Sequence, residues 1–166
     1  MSIAQAITAE FQVESAATRK FLERFEDRHA DWQPHEKSMS ASRLATHVVE
    51  CPDWAYSILD AGDFDLATME YEPPHWTTRA DLLENHERIG AGFLQQLEGR
   101  SDDLMRETWR LLQGDRVLME TTREAAVRNI ILSHLVHHRG QLSVYYRLLG
   151  IPVPGPYGPS ADDQNG

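Results

Sequence analysis

Ser133-His134-Leu135-Val136-His137-His138-Arg139-Gly140-Gln141 is the stretch on which the fold turns. It lies in a longer run whose apolar positions, Val127, Ile131, Leu135, Leu142, Tyr145 and Leu149, recur at helical intervals and predict one buried helix face. His134 and His138 fall on that face at i and i+4, where side chains stand about 5–6 Å apart and lean toward the helix N-terminus. Two imidazoles aimed at one point make two-thirds of a three-histidine metal site. Thr121 or Thr122 starts this helix, with Glu124 completing a capping-box pair for Thr121, and Gly150 and Pro152 end it.

Three more amphipathic helices precede it. The first spans residues 3–28, with Ser2 as cap and Ile3, Ile7, Phe11, Phe21, Leu22 and Phe25 inward. The second begins near Ser38 or Ser40 and carries the stripe Leu44, His47, Val48, Cys51, Trp54, Ala55 and Ile58. Pro52 interrupts that pattern and frees the carbonyl of Val48, so this helix should bend or restart just after His47. The third starts at Thr78, which forms a capping-box pair with Asp81, and runs to about Leu97 with Leu82, His86, Ile89 and Phe93 inward. Four such helices predict an all-α chain, a four-helix bundle, and bundles of this kind build metal sites from facing helices.

The remaining segments connect these helices. Residues 62–76 read as loop around Pro73-Pro74, and Gly114-Asp115 suggests a short hairpin before the last helix. The tail from about residue 151 holds four of the eight prolines and reads as extended chain laid over the bundle, with Ala161 to Gly166 frayed. The 166 residues carry no internal repeat and form one domain.

Composition narrows the function. The formal net charge of −10 argues against non-specific binding to nucleic acid or an anionic membrane. No apolar run approaches the roughly 18 residues of a membrane span. One cysteine, Cys51, cannot form an intrachain disulfide. With no signal-peptide pattern after Met1, this suggests a cytoplasmic location.

His47, His134 and His138 each lie on the apolar stripe of a helix. Burying an imidazole without a partner costs about 1–3 kcal/mol, and one cation would serve all three. Neutral imidazole suits zinc, nickel, copper and iron. Three protein ligands leave a position open for water or substrate, the catalytic arrangement for zinc. A lone inward histidine is ordinarily a hydrogen-bonded core residue, and this is the competing reading for His47 and for the rival His86. His137 points about 100° away from His138 and suits a surface or interface hydrogen bond. His29, His35 and His75 lie in loops or at helix ends.

The run His134 to Gln141, followed by Arg147-Leu148-Leu149-Gly150-Ile151-Pro152-Val153-Pro154, resembles the C-terminal half of DinB/YfiT-like proteins. Pro156-Tyr157-Gly158-Pro159-Ser160 resembles the family's ending, and His47 between Leu44 and Trp54 matches its second-helix histidine. The resemblance is weakest over residues 60–120. It implies a four-helix bundle, often a homodimer, with a divalent metal on His47, His134 and His138. Zinc or nickel is the first expectation, then iron or manganese. It also implies a small-molecule substrate, with some relatives acting as S-transferases or isomerases on a low-molecular-weight thiol such as bacillithiol or mycothiol.

The expected chemistry is Lewis-acid activation of water or a thiol, which then attacks an electrophile in the same pocket. Glu50, one turn beyond His47, reads either as a proton acceptor or ligand-orienting group or as a surface ion-pair partner. Cys51, i+4 from His47, reads either as a ligand or nucleophile or as a small buried core thiol. Arg139 reads either as an anion binder or as a salt bridge between helices. Trp54, Trp109 and Tyr145 suit either a pocket wall or the core. The opposing reading of the whole chain is a non-catalytic metal- or ligand-binding bundle, or a stress-related interaction protein.

Overall fold

In the computed structural model, residues 1–163 are described. Helix α1 (Ile3–Leu22) opens with the expected cap, because the Ser2 hydroxyl accepts from the Gln5 N–H and the Gln5 side chain accepts from the Ser2 N–H. It is shorter than the 3–28 expected. The Arg24 and Phe25 N–H groups turn to carbonyls three residues back, and Asp27–His29 form a separate 3₁₀ turn. That tightening folds the Phe25 ring into the core.

Ser40 caps α2 (Ala41–Glu50). The break associated with Pro52 comes after Glu50, a turn later than expected: Cys51–Trp54 form a 3₁₀ segment that leads into α3 (Ala55–Leu59). Proline is tolerated there because it occupies the first turn of a new segment, where its missing N–H has no helical partner to lose. Thr78 caps α4 (Arg79–Leu97) as expected, and the left-handed Gly99 follows it. A short α5 (Asp102–Arg106), capped by Ser101, was not foreseen.

The chain is mostly helical but not purely so. Phe64–Asp65 (β1), Thr108–Gln113 (β2) and Arg116–Thr122 (β3) form a three-stranded sheet in that order. β2 and β3 make the expected hairpin, with Gln113 opposite Arg116 and Gly114 at φ +59° in the turn. The third strand arises from the segment read as loop, since β1 pairs in parallel with Leu111 and Leu112 and covers the open edge of β2. Trp109 carries this sheet into the core, where its ring is buried and its Nε1 donates to the Ser57 carbonyl at 3.0 Å.

Of the two candidates Thr122, the last residue of β3, caps the last helix, its hydroxyl accepting from the Ala125 N–H, and Thr121 lies within the strand. That helix runs unbroken through α6 (Arg123–Ala126), a π-helical segment (Val127–Ser133) and α7 (His134–Leu149), and ends on the left-handed Gly150. The wider π turn, for which nothing in the residue pattern prepares, sits immediately before His134. α2 packs on α7 and α4, and α1 packs on α4 and α7, closing a ring of helices. One apolar cluster contains Phe21, Leu44, Leu82 and Tyr146; another contains Phe11, Phe93, Trp109 and Ile131. A third, small cluster packs Val48 and Cys51 against Leu135. No helix among the described residues is long and apolar enough to cross a membrane.

Arg139, 2% exposed, ties α7 to α1 and the tail. Its guanidinium donates to the Glu14 carbonyl (2.9 Å), the Glu14 carboxylate (2.6 Å), the Thr18 hydroxyl (3.1 Å) and the Tyr157 hydroxyl (2.5 Å). The tail is tied further along its length. Asp162 pairs with Arg147 and accepts from the Val153 N–H, while Asp163 accepts from the Gly155 and Ser160 N–H groups. The expectation of a frayed end from Ala161 is therefore corrected for 161–163, and 164–166 lie outside the described residues. Removing one member of a buried ion pair strands the other. Arg139→Ala is expected to lower unfolding stability by about 3 kcal/mol, and Tyr157→Phe by about 1 kcal/mol, both measured by urea denaturation.

Candidate metal centre

α2 supplies His47, and α7 supplies His134 and His138 from consecutive turns. The three rings meet where these helices pack, with centroids 5.0 Å (His47–His134), 4.5 Å (His47–His138) and 4.5 Å (His134–His138) apart. The Nε2 of His134 lies 2.9 Å from the Nε2 of His47 and 2.9 Å from that of His138. Val48, Cys51 and Leu135 pack as the local apolar support of both helices.

The far side of two rings is held by side chains. His47 Nδ1 lies 2.5 Å from a carboxylate oxygen of Glu50, and His138 Nδ1 lies 2.7 Å from the Gln141 side-chain carbonyl. The amide nitrogen of Gln141 donates to His137 Nε2 at 3.1 Å, which fixes the orientation of that amide. Glu50, 3% exposed, also accepts from Arg43 (2.7 Å) and from the Tyr71 hydroxyl (2.7 Å). Burial pushes the Glu50 carboxyl up, but hydrogen bonds from His47, Arg43 and Tyr71 outweigh it and hold the group below its ordinary range. It is therefore a carboxylate, able only to accept.

These partners decide the tautomers. Both Nδ1 atoms face acceptor oxygens, so each neutral ring carries its proton there and presents a lone pair at Nε2. His134 has one Nε2 to set against two, and a single N–H satisfies at most one of them. A proton on His47 Nε2 would satisfy that contact and leave His134 facing His138 lone pair to lone pair. A cation shared by the rings would relieve these contacts, and a ligating histidine whose other nitrogen donates to a carboxylate or carbonyl is a common arrangement around a metal.

Cys51 Sγ comes close as well: the ligand atoms of His47, Cys51 and His134 lie within 4.8 Å of one another, near enough to hold one metal ion. The thiol is buried and donates to the His47 carbonyl at 3.0 Å. Burial, then the charge of Glu50, pushes its pKa well up, away from the thiolate a metal or an electrophile requires.

Other candidates lie elsewhere. His86 is buried among α1 and α4, with Nε2 3.1 Å from the Ser15 hydroxyl, and is a hydrogen-bonded core residue. The Arg139 guanidinium is engaged by Glu14, Thr18 and Tyr157. Trp109 and Tyr145 are core residues, while Trp54 does line a cleft. Sequence reasoning missed Arg43, Tyr71 and Gln141. Arg43 and Gln141 stand at helical spacing from His47 and His138 and could have been flagged, whereas Tyr71, in a connecting segment, carries no such signal.

His134 and His138 resist protonation. Burial first, then repulsion from the neighbouring histidines, holds His134 below 6.5 and brings His138 down to about 4 despite the opposing Gln141 hydrogen bond. The unfolded chain therefore binds more protons than the folded one as pH falls below 6.5. The stability these groups contribute is fully present above that value and is lost on the way to about 4. The urea midpoint of metal-free protein should fall between pH 7.5 and pH 5, and His138→Gln should flatten that decline.

The sequence profile described as DinB family matches residues 1–165. An uncharacterized protein of Bacillus subtilis (strain 168), YrdA, is 24% identical over 153 residues, 92% of this chain and 87% of that one. Among solved structures, a DinB-like protein from Bacillus cereus ATCC 10987 superposes with a TM-score of 0.67 at 20% identity, covering 87% of this chain and 91% of that one. A DinB-like protein of Bacillus subtilis, YjoA, superposes with a TM-score of 0.65 at 21% identity, covering 87% and 92%. At those identities the structural likeness concerns the fold.

Proposed function

The chain belongs to the DinB family, and from that premise we propose that it is a divalent-metal-dependent enzyme acting on a small molecule. His47, His134 and His138 are its ligands, set in a four-helix-bundle scaffold. The observation that carries this reading is the pair of 2.9 Å Nε2–Nε2 approaches among rings whose Nδ1 atoms are committed to Glu50 and Gln141. Two trios share His47 and His134. His138 is preferred to Cys51 as the third member because its Nε2 carries a free lone pair, whereas the Cys51 thiol keeps its proton on the His47 carbonyl. Zinc or nickel suits three imidazoles best, and iron or manganese is the next choice.

The chemistry such an ion supplies is Lewis acidity, which lowers the pKa of a water or thiol in its open position. The residues of the chain do the rest. Glu50 holds the proton on His47 Nδ1, and Arg43 and Tyr71 hold Glu50 in turn. Gln141 orients His138. Transfer of a low-molecular-weight thiol to an electrophile, or hydrolysis, is the reaction class this arrangement serves.

Protein purified without added metal is expected to carry close to one equivalent by elemental analysis. His134→Ala and His138→Ala should lose it, and Cys51→Ser should keep it. Glu50→Gln should weaken metal affinity about 10- to 100-fold in chelator competition. An empty protein that cannot be reloaded would sink the reading. Full loading with no turnover of thiol, ester or amide probes would make this a non-catalytic metal-binding module.

A further inference from the structure

Glu50 faces two ways. Besides holding His47, it lines a cleft of about 390 Å³ formed with the segment between α3 and α4. Trp54, Phe64 and Tyr71 supply aromatic walls. The Trp54 ring stands 5.6 Å from Tyr71, tilted at 52°, and 5.9 Å from Phe64, edge to face at 77°. The charged side chains lining the cleft are all acidic: Glu50, Asp53, Glu70 and Glu72.

Arg43, which donates to the Tyr71 hydroxyl at this wall, is paired with Glu50. Asp53, Glu70 and Glu72 make no salt bridge among the described residues. Burial lifts the Asp53 carboxyl above its ordinary value against the pull of Arg88, with Glu50 adding to the rise. Negative charge over low-dielectric aromatic walls concentrates the field on cations, and tryptophan is the strongest cation–π face. Anions are repelled by the same charge.

We propose that this cleft, which adjoins the histidine centre only through Glu50, binds a small organic cation, an ammonium or quaternary ammonium head seated against Trp54 and Tyr71 with Asp53 beside it. Its preference for cations does not depend on the metal-dependent reading above.

Choline and its neutral isostere 3,3-dimethyl-1-butanol separate charge from shape, and 3,3-dimethylbutyrate supplies the opposite charge. Each is titrated calorimetrically into metal-loaded protein, chelator-treated protein and His134→Ala. Choline should bind about tenfold more tightly than the alcohol in all three preparations, and the carboxylate should not bind. Trp54→Leu should weaken choline about tenfold, and Asp53→Asn should weaken it severalfold if Trp54→Leu fails to fold. Equal binding of choline and the alcohol, no binding of choline, or choline affinity unchanged in both variants would overturn the proposal. Choline binding as expected in a protein that takes up no metal would leave the cation subsite standing and remove only the metal-dependent reading.

Discussion

The Nε2 of His134 stands at hydrogen-bond distance from those of both His47 and His138, with too few protons to go between them. Glu50 and Gln141 occupy the outer nitrogens of His47 and His138, so the inner ones have lone pairs to offer, and His134 can answer one of them at most. Any packing of α2 on α7 must either keep these rings apart or provide something positive for them to share. The fold instead brings them together and reinforces the arrangement from behind, through Arg43 and Tyr71 on Glu50. Polar groups half-withdrawn from water and left facing like partners are costly, which is why the cluster reads as a binding site and His86, bonded to Ser15, does not.

The scaffold explains how two helices can present such a cluster. Val48, Cys51 and Leu135 pack beside it, and the larger apolar cluster that holds Leu44, Val49, Leu142 and Tyr146 joins α2 to α7. Each helix is irregular close to its histidines. α2 gives way to a 3₁₀ segment at Cys51, and the last helix passes through a π turn ending at Ser133. Such turns change the rotation per residue, so the phase at which His134 and His138 leave the helix depends on them. On the other side of Glu50, the segment carrying Phe64 and Tyr71 is anchored by β1 on β2. The sheet that departs from an all-helical chain thus builds the cleft wall.

Much of this was legible beforehand because helical periodicity is a local property. Ser2, Ser40 and Thr78 acted as caps, Gly99 and Gly150 as stops, and the stripes of the four helical runs faced inward. The i, i+4 spacing of His134 and His138 required only that the segment be helical. The errors fell where a neighbour decided. Residues 23–28 left helical geometry so that Phe25 could reach the core, Phe64–Asp65 became a strand because β2 offered an edge, and Ala161–Asp163 were held by Arg147 and by backbone donors of the tail.

Taken alone, then, the order of residues determined four amphipathic helical runs, a hairpin at Gly114-Asp115, and an inward histidine pair with a third inward histidine on another helix. Periodicity and capping act within a few residues, and no distant contact is needed to satisfy them. Only the tertiary structure decided that His47 meets His134, that Glu50 and Gln141 set the tautomers, that Arg139 is a tie to α1, and that Trp54 shares a cleft with Phe64 and Tyr71. Each of those depends on which faces of distant segments pack together, and the helix phase and sheet edge that set this packing leave no periodic trace in the chain.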